Sequence, residues 1–328
     1  MSTQGEVAQG AGARGREAAS PSQIPAPGWR DILVRVYRNV SQNRILAIAA
    51  GVAFYALLAI FPAIAAFVAL YSLVADPAMI KEQFESLSGV LPVEAVSFVG
   101  DQINRVAAQG ATKLGLASVI GLFVSLWSAN AGMKAIFDAL NVVYGEREKR
   151  GFLELNGVSL GFTLGGILFV ALSLALMVVA PPVLDALSLG HGVERALSLA
   201  RWPLLLVVVA LAISLVYRYG PSRDTPQWRW VSWGGAFATV AWLIASALFS
   251  WYAANLGNFN GTYGSLGAVV GFMLWLWVSS IVLLAGAQLN AEMEHQTGKD
   301  TTEGAPRPMG ERGAVMADTL GPSTGPSG

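Results

Sequence analysis

Long apolar runs without Asp, Glu, Lys or Arg alternate along the chain with shorter polar connections. The runs cover residues 45–75, 114–133, 155–184, 202–217 and 230–291. A helix crosses the ~30 Å hydrocarbon core of a bilayer in about 20 residues, so each of the first four runs predicts one crossing. The fifth run is long enough for two crossings, and a polar break over residues 255–261 divides it.

The pattern predicts an all-α integral membrane protein with six transmembrane helices. Helices are favoured over strands because each run is continuously apolar, whereas a strand of a membrane barrel alternates apolar and polar residues. Composition agrees, since 54% of the residues are hydrophobic and 13% are charged, against about 25% charged in a soluble domain. The predicted spans are residues 45–75, 114–133, 155–181, 202–219, 231–253 and 264–289.

The distribution of Lys and Arg predicts that both termini are cytoplasmic. The N-terminal segment with the second and fourth connections holds 13 of these residues, and the first, third and fifth connections hold five. Cytoplasmic connections of membrane proteins carry the excess of positive charge. The N-terminus is therefore expected inside, and six crossings return the C-terminus to the same side.

Both ends of the chain are predicted to be disordered tails. Residues 1–28 and 297–328 are rich in Gly, Ala, Ser and Pro and show no apolar periodicity. Such segments bury too little apolar surface to offset the entropy of ordering.

Residues 29–43 predict an amphipathic helix, with Arg30, Arg35 and Arg38 on its polar face. Two interpretations are compatible with each other: the helix lies among lipid headgroups, or it packs on the cytoplasmic end of the bundle. The connection over residues 76–113 predicts two short amphipathic helices on the opposite side, one before and one after Pro92. These two helices are expected to cap the bundle as structural elements. The alternative is that they gate access to the bundle from outside.

Polar residues gather at the predicted cytoplasmic ends of the spans. At the end of the second span they are Asn130, Lys134, Asp138 and Asn141, spaced by four, four and three residues, so they share one helix face. Lys134 can pair with Asp138. Polar groups at membrane depth are costly and indicate function. They predict a water-filled vestibule, with ordinary solvated helix ends as the alternative. The candidate vestibule residues are Asn130, Lys134, Asp138, Asn141, Glu154, Arg218, Gln288, Asn290 and Glu292, with Asn156 at the same level.

Small residues in the third and sixth spans predict close helix packing, because glycines at four-residue spacing let backbones approach. Dimerisation or a sliding interface is the alternative. The glycines concerned are Gly157, Gly161, Gly165, Gly267 and Gly271. In the first span, Pro62 removes a backbone hydrogen bond and predicts a kink.

The residues offer little for catalysis. The chain has no cysteine and two histidines, His191 and His295, that are distant in sequence, so neither thiolate sites nor a His-rich metal cluster is expected. The formal net charge of zero argues against nucleic-acid binding. No phosphate-binding glycine loop occurs. The sequence therefore predicts no catalytic site, no metal and no cofactor.

Several stretches resemble the YihY/BrkB family of bacterial inner-membrane proteins, over about residues 29–295. The matching stretches are Ala53–Pro62, Trp127–Asn130 running to Leu140–Asn141, and Thr262–Gly267 leading to Leu283–Glu292. The resemblance implies a six-helix fold in the bacterial inner membrane and no settled activity. The family has carried a ribonuclease name that is regarded as misassigned, and roles in envelope integrity and lipid export have been proposed for it.

Two functional hypotheses follow. In the first, the protein is a transporter or flippase for a lipid-like or amphiphilic substrate, with membrane lipid as its partner. In the second, it is a non-transporting scaffold or regulator of the envelope that binds a second copy or an envelope protein. An enzyme, including a ribonuclease, is disfavoured because two separated histidines do not supply a metal site.

Overall fold

The computed structural model describes residues 14–71, 93–108, 116–186, 191–255 and 263–324. The fold in these ranges is all-helical, apart from one isolated antiparallel bridge between Pro226 and Thr302. Short 3-10 segments cover Pro21–Gln23 and Gly264–Leu266. The helices are α1 Ala26–Gln42, α2 Ile45–Tyr71, α3 Val93–Ala108, α4 Leu116–Tyr144, α5 Phe152–Ala186, α6 His191–Tyr219, α7 Trp228–Asn255, α8 Gly267–Glu294 and the single turn α9 Val315–Asp318.

Five helices in the described ranges are long and apolar enough to cross a membrane, and each coincides with a predicted span. Their apolar parts are Ile45–Val68, Ile120–Tyr144, Phe152–Ser173, Trp228–Asn255 and Gly267–Glu294. The predicted span 202–219 falls in α6, whose apolar part Pro203–Tyr219 is shorter. A multi-pass membrane protein is therefore supported.

The second span was predicted to end at residue 133, but α4 continues to Tyr144. The helix persists past Lys134 because a charged side chain on one face does not interrupt the backbone hydrogen bonds. It ends at Gly145, whose φ of 67° lies in the left-handed region. Gly145 N–H donates to Val142 O and Glu146 N–H donates to Asn141 O, which is the Schellman arrangement that satisfies the last carbonyls of a helix.

Helix α8 is central in the bundle and contacts α7, α2, α1, α3 and α4, while the most extensive contact of all joins α2 and α4. Helix α5 packs mainly on α4. The helix predicted after Pro92 is confirmed as α3. It packs against α8 of the bundle, where the ring of Phe98 stacks on that of Phe272 with centroids 4.8 Å apart. The helix predicted before Pro92 lies outside the described residues.

Glycines do bring helices together, but mostly not the predicted ones. On α5 the prediction is wrong, because a Cβ added at Gly157, Gly161 or Gly165 would meet nothing within 4 Å. The close contact lies between α7 and α8, where a Cβ at Gly286 would come within 2.8 Å of Gly234 O. Of the predicted glycines on α8, Gly267 and Gly271 are buried.

Replacing Gly286 with alanine is expected to destabilise the bundle by about 1–3 kcal/mol, the usual cost of overpacking. The added Cβ would lie 2.6 Å from the hydroxyl oxygen of Tyr217, and that hydroxyl donates to Leu283 O at 2.6 Å. Thermal unfolding of the purified protein in detergent measures the effect. Gly161→Ala is the matched control, and equal melting temperatures for the two variants would contradict the prediction.

Both predicted tails are corrected in their described parts, because residues 14–28 and 297–324 pack on one end of the bundle. The two segments also contact each other: Gly298 N–H donates to Arg16 O at 2.7 Å, and Thr297 Oγ1 donates to Ala18 O at 2.6 Å. Polar composition did not imply disorder, because these segments satisfy their polar groups on the bundle. We call this end, covered by residues 14–42 and 295–324, the capped end.

Candidate functional site

A cavity of about 540 Å³ lies inside the bundle, within the range of about 300–1,000 Å³ that is typical of small-molecule sites. Helices α2, α3, α4, α5 and α8 surround it. Its lining among the described residues is apolar apart from the hydroxyl of Thr163 and the indole N–H of Trp275. Half of the α2 wall is made of small side chains, namely Ala56, Ala59 and Ala63. These small residues on α2 leave a gap between α2 and α5, and this gap is part of the cavity.

The cavity reaches the surface of the bundle along α5. Gly166 and Val170 both line it and are both exposed. The helix surface at Gly166 is open, since a Cβ there would meet nothing within 4 Å. A molecule in the surrounding medium therefore has a lateral approach to the cavity between helices.

A polar cluster between α4 and α5 adjoins this cavity. Thr163 belongs to both: its hydroxyl is hydrogen-bonded to Ser159 O at 2.9 Å and lies 3.3 Å from Asn130 Oδ1. Asn130 is fully buried, and its amide nitrogen reaches Asn156 Oδ1 only at 3.5 Å. Lys134 Nζ donates to the same Asn156 oxygen at 2.8 Å. We call Asn130, Lys134, Asn156 and Thr163 the polar cluster.

Lys134 does not form the ion pair with Asp138 that the sequence suggested. Within the described ranges its ammonium has a neutral acceptor, Asn156 Oδ1, and lies over the ring of Trp127 at 5.3 Å from the centroid. Asp138 is exposed instead. The two side chains share a helix face by spacing, but Lys134 bends toward α5 because its partner there is buried.

The predicted vestibule is not a single cavity. Asn130 and Lys134 lie in the polar cluster, whereas Gln288 and Glu292 contact α1, and Asn290 bonds to α7. Asn141 and Arg218 bind connecting segments, and Glu154 is exposed at the start of α5. Residues at one predicted depth thus lie on different helix faces. Most of them are buried and form hydrogen bonds with protein groups instead of with water.

Glu292 closes the capped end through a buried ion pair. Arg35 Nε donates to Glu292 Oε2 at 2.5 Å, and both side chains are almost fully buried. Asn39 Nδ2 donates to the other carboxylate oxygen at 2.6 Å, and Gln288 Nε2 reaches it at 3.3 Å. Both oxygens of this carboxylate therefore accept hydrogen bonds from protein groups.

A second buried pair joins α8 to the segment before α7. Arg223 Nη2 donates to both carboxylate oxygens of Glu294, at 2.8 and 3.0 Å. Thr301 Oγ1 donates to the same carboxylate at 2.8 Å. Beside them, Arg218 is ion-paired with Glu303, and Asn290 accepts from Gly234 N–H at 2.8 Å. Protein groups occupy the place where an aqueous vestibule was expected.

Among the acidic groups at the capped end, Asp31 and Glu148 have lowered pKa values. Burial tends to raise the pKa of Asp31, but hydrogen bonds from Thr324 and from Arg14 lower it below its ordinary value. The hydrogen bond from Arg150 is the main cause that lowers the pKa of Glu148 to about 2. Both carboxylates are ionised near neutral pH, and the stability they add is lost only as the pH falls below their ordinary values.

The sequence placed Arg35 on the polar face of α1, and the structure corrects this. Arg35 is three residues from Ile32 and four from Asp31, and all three are buried. On the opposite side of α1, Leu33 and Tyr37 are exposed, at 57% and 84%. Helix α1 therefore packs on the bundle. Contact of its exposed apolar residues with lipid headgroups stays a prediction.

The comparisons with known proteins identify one family model and several relatives. The model of the family described as "Virulence factor BrkB" matches residues 36–310. A ribonuclease-like protein YfkH of Bacillus subtilis is 32% identical over 178 residues, which cover 52% of this chain and 63% of that protein. No solved structure matches the chain.

Two further relatives are membrane proteins by name. A UPF0761 membrane protein of Neisseria meningitidis serogroup B is 26% identical over 266 residues, covering 80% of this chain and 63% of the relative. A UPF0761 membrane protein of Alkalilimnicola ehrlichii is 27% identical over 334 residues, covering 95% of this chain and 72% of the relative. The chain thus spans less than two thirds of the YfkH and Neisseria proteins.

Proposed function

The chain belongs to the Virulence factor BrkB family, and from this premise we propose that it moves an amphiphilic, lipid-like molecule between the leaflets of the bacterial inner membrane. The observation that carries the proposal is the apolar cavity with a polar cluster at its side. An apolar chain fits the lining of the cavity, and a polar headgroup fits the hydrogen-bonding groups of Asn130, Asn156 and Thr163. The proposal involves no enzymatic step and no cofactor.

Lateral entry from the lipid suits this proposal better than entry from water. The Arg35–Glu292 and Arg223–Glu294 pairs are buried at the capped end, where the described residues leave no aqueous vestibule between them. The cavity instead reaches the bundle surface at Gly166 and Val170 on α5. A lipid that already lies in the bilayer would enter between the helices. Its acyl chain would pass from the membrane into the cavity without contacting water.

Six crossings with both termini in the cytoplasm are part of the proposal. The N-terminal and C-terminal segments touch at the capped end, through Arg16 Nη2 donating to Gly321 O at 2.5 Å. Termini on one side require an even number of crossings, so five long helices need a sixth. In this proposal helix α6 is the sixth. Its apolar part, Pro203–Tyr219, is about 25 Å long at 1.5 Å per residue, slightly less than the ~30 Å hydrocarbon core, and the helix extends further, to His191.

A scaffold function has one supporting observation, the open glycine face of α5. Gly157, Gly161 and Gly165 have no neighbouring atom where a Cβ would stand, and small residues on a lipid-facing helix allow a second helix to approach closely. A second copy of this chain or an envelope protein would then cover α5. Lipid flux distinguishes this function from transport.

Filling the cavity at Gly166 is expected to reduce lipid flux at least tenfold. Gly166 lines the cavity where it reaches the bundle surface. A phenylalanine there can narrow this opening without displacing a neighbouring helix, because no atom lies within 4 Å of its Cβ position. The measurement is exchange of a fluorescent lipid between leaflets of vesicles that contain the purified protein, compared with empty vesicles.

Gly161→Phe is the matched control, because Gly161 is equally open on the same helix but does not line the cavity. It should leave flux unchanged. Wild-type flux no greater than that of empty vesicles would overturn the transport proposal, and equal loss in both variants would assign the effect to the α5 surface instead of the cavity.

A further inference from the structure

Lys134 is a cation inside an apolar span without an anionic partner among the described residues. It lies in the span Ile120–Tyr144, and its one hydrogen bond goes to the neutral oxygen of Asn156 at 2.8 Å. Charged side chains at membrane depth are costly and usually face a partner or a functional path. Lys134 is half-buried. The buried cations Arg35, Arg218 and Arg223 near the bundle end are each paired with a glutamate. Lys134 thus differs from them in lacking its counter-charge.

The groups around Lys134 make long or shared hydrogen bonds that a ligand could replace. Asn130 is fully buried, yet its amide donates only a long bond of 3.5 Å. The Thr163 hydroxyl has one hydrogen for two acceptors, Ser159 O and Asn130 Oδ1. An anionic oxygen beside Lys134 would offer all three groups a stronger acceptor, since hydrogen bonds to charged groups are about twice as strong as neutral ones.

The geometry points to an anionic lipid as the molecule that this site binds, with its phosphate or carboxylate headgroup on Lys134 and its chain in the apolar cavity. Thr163 joins the two parts, because it lines the cavity and belongs to the polar cluster. Charge complementarity selects the headgroup, and the apolar lining selects a molecule with a hydrocarbon chain. This inference rests on the proposed function for its biological role and names the substrate class.

Binding of two photoactivatable probes tests the inference. Full-length protein is placed in phosphatidylcholine vesicles with either phosphatidylglycerol or phosphatidylcholine that carries a diazirine in the acyl chain, and cross-linked peptides are mapped. Phosphatidylglycerol is expected to label the cavity wall of α5 near Phe162–Val170 and to bind more tightly than phosphatidylcholine. Lys134→Gln should weaken phosphatidylglycerol binding by roughly tenfold to a hundredfold, and Lys134→Arg should retain most of it.

Asp138→Asn is the matched control, since Asp138 is an exposed charge one turn further along α4, and it should change binding little. The inference is overturned if both lipids bind equally, or if Lys134→Gln binds phosphatidylglycerol as the wild type does. It is also overturned if inorganic phosphate displaces the probe as well as unlabelled phosphatidylglycerol does, because the site would then take a free anion.

Failure of the inference and failure of the proposed function give different results. Selective labelling at the cavity without lipid flux in vesicles would retain the anionic-lipid site and reject transport. Flux that is blocked by Gly166→Phe but is equal for anionic and zwitterionic lipids, and unaffected by Lys134→Gln, would retain transport and reject the site at Lys134.

Discussion

Replacing Arg35 with methionine is expected to destabilise the protein by about 3–5 kcal/mol, the usual cost of removing one member of a buried ion pair. Glu292 would keep hydrogen bonds from Asn39 and Gln288 but would lose its only arginine partner. Arg35 also donates to Gln296 Oε1 at 2.8 Å and to Pro322 O at 3.1 Å, so α1, α8 and the C-terminal segment would separate together. Thermal or denaturant unfolding of the detergent-purified variant measures the loss.

Arg38→Met is the matched control, because Arg38 is exposed on the same helix, and it should cost less than about 0.5 kcal/mol. The double variant Arg35→Met/Glu292→Gln should recover part of the loss, since no uncompensated buried charge would remain. If the single and double variants unfold alike, the loss comes from packing of the arginine stem and the ion pair contributes little.

The apolar runs were sufficient to place the membrane helices, because a bilayer requires continuous hydrophobic segments of fixed length. Five predicted spans appear as long apolar helices. The second span was predicted to end before Lys134, with its helix continuing through Asn141. The structure agrees on the helix, since α4 continues to Tyr144 and ends at Gly145. The glycine at that end was the available signal.

The candidate site was predicted only in part. Asn130 and Lys134 do adjoin the cavity, but the cavity itself arises from missing volume between α2, α4 and α5, and helix packing in three dimensions cannot be read from spacing along one chain. The glycine pair of α7 and α8 shows the same limit. Gly234 precedes Gly235, and Gly286 lies between Ala285 and Ala287. Only the opposition of Gly234 and Gly286 across two helices makes them a close contact.

The tails were mispredicted for a different reason. A Pro- and Gly-rich segment lacks the apolar periodicity that indicates an element, but it can still be ordered by hydrogen bonds to a bundle. Arg312, buried at 4% exposure, donates to Gly298 O and Ala317 O within the C-terminal segment. An arginine that binds several backbone carbonyls holds an irregular chain in one conformation, and composition alone does not report it.

Removing the C-terminal segment is therefore expected to cost the protein roughly 3 kcal/mol or more of stability, because several bonds to charged groups at about 1.5–3 kcal/mol each would be lost. A stop after Gly298 deletes Thr301, which donates to Glu294 at 2.8 Å. It also deletes Val315, whose N–H donates to Glu146 at 2.7 Å. The Arg223–Glu294 pair would become accessible to water, and the melting temperature of the detergent-purified protein measures the loss.

A stop after Thr324 is the matched control, since it removes only the four residues that follow the described segment. That variant should melt as the full chain does. If the stop after Gly298 also melts as the full chain does, residues 299–324 contribute no net stability and the tail behaves as its composition predicted. If it melts lower but keeps lipid flux, the capped end stabilises the bundle without taking part in transport, as expected for a substrate that enters laterally at α5.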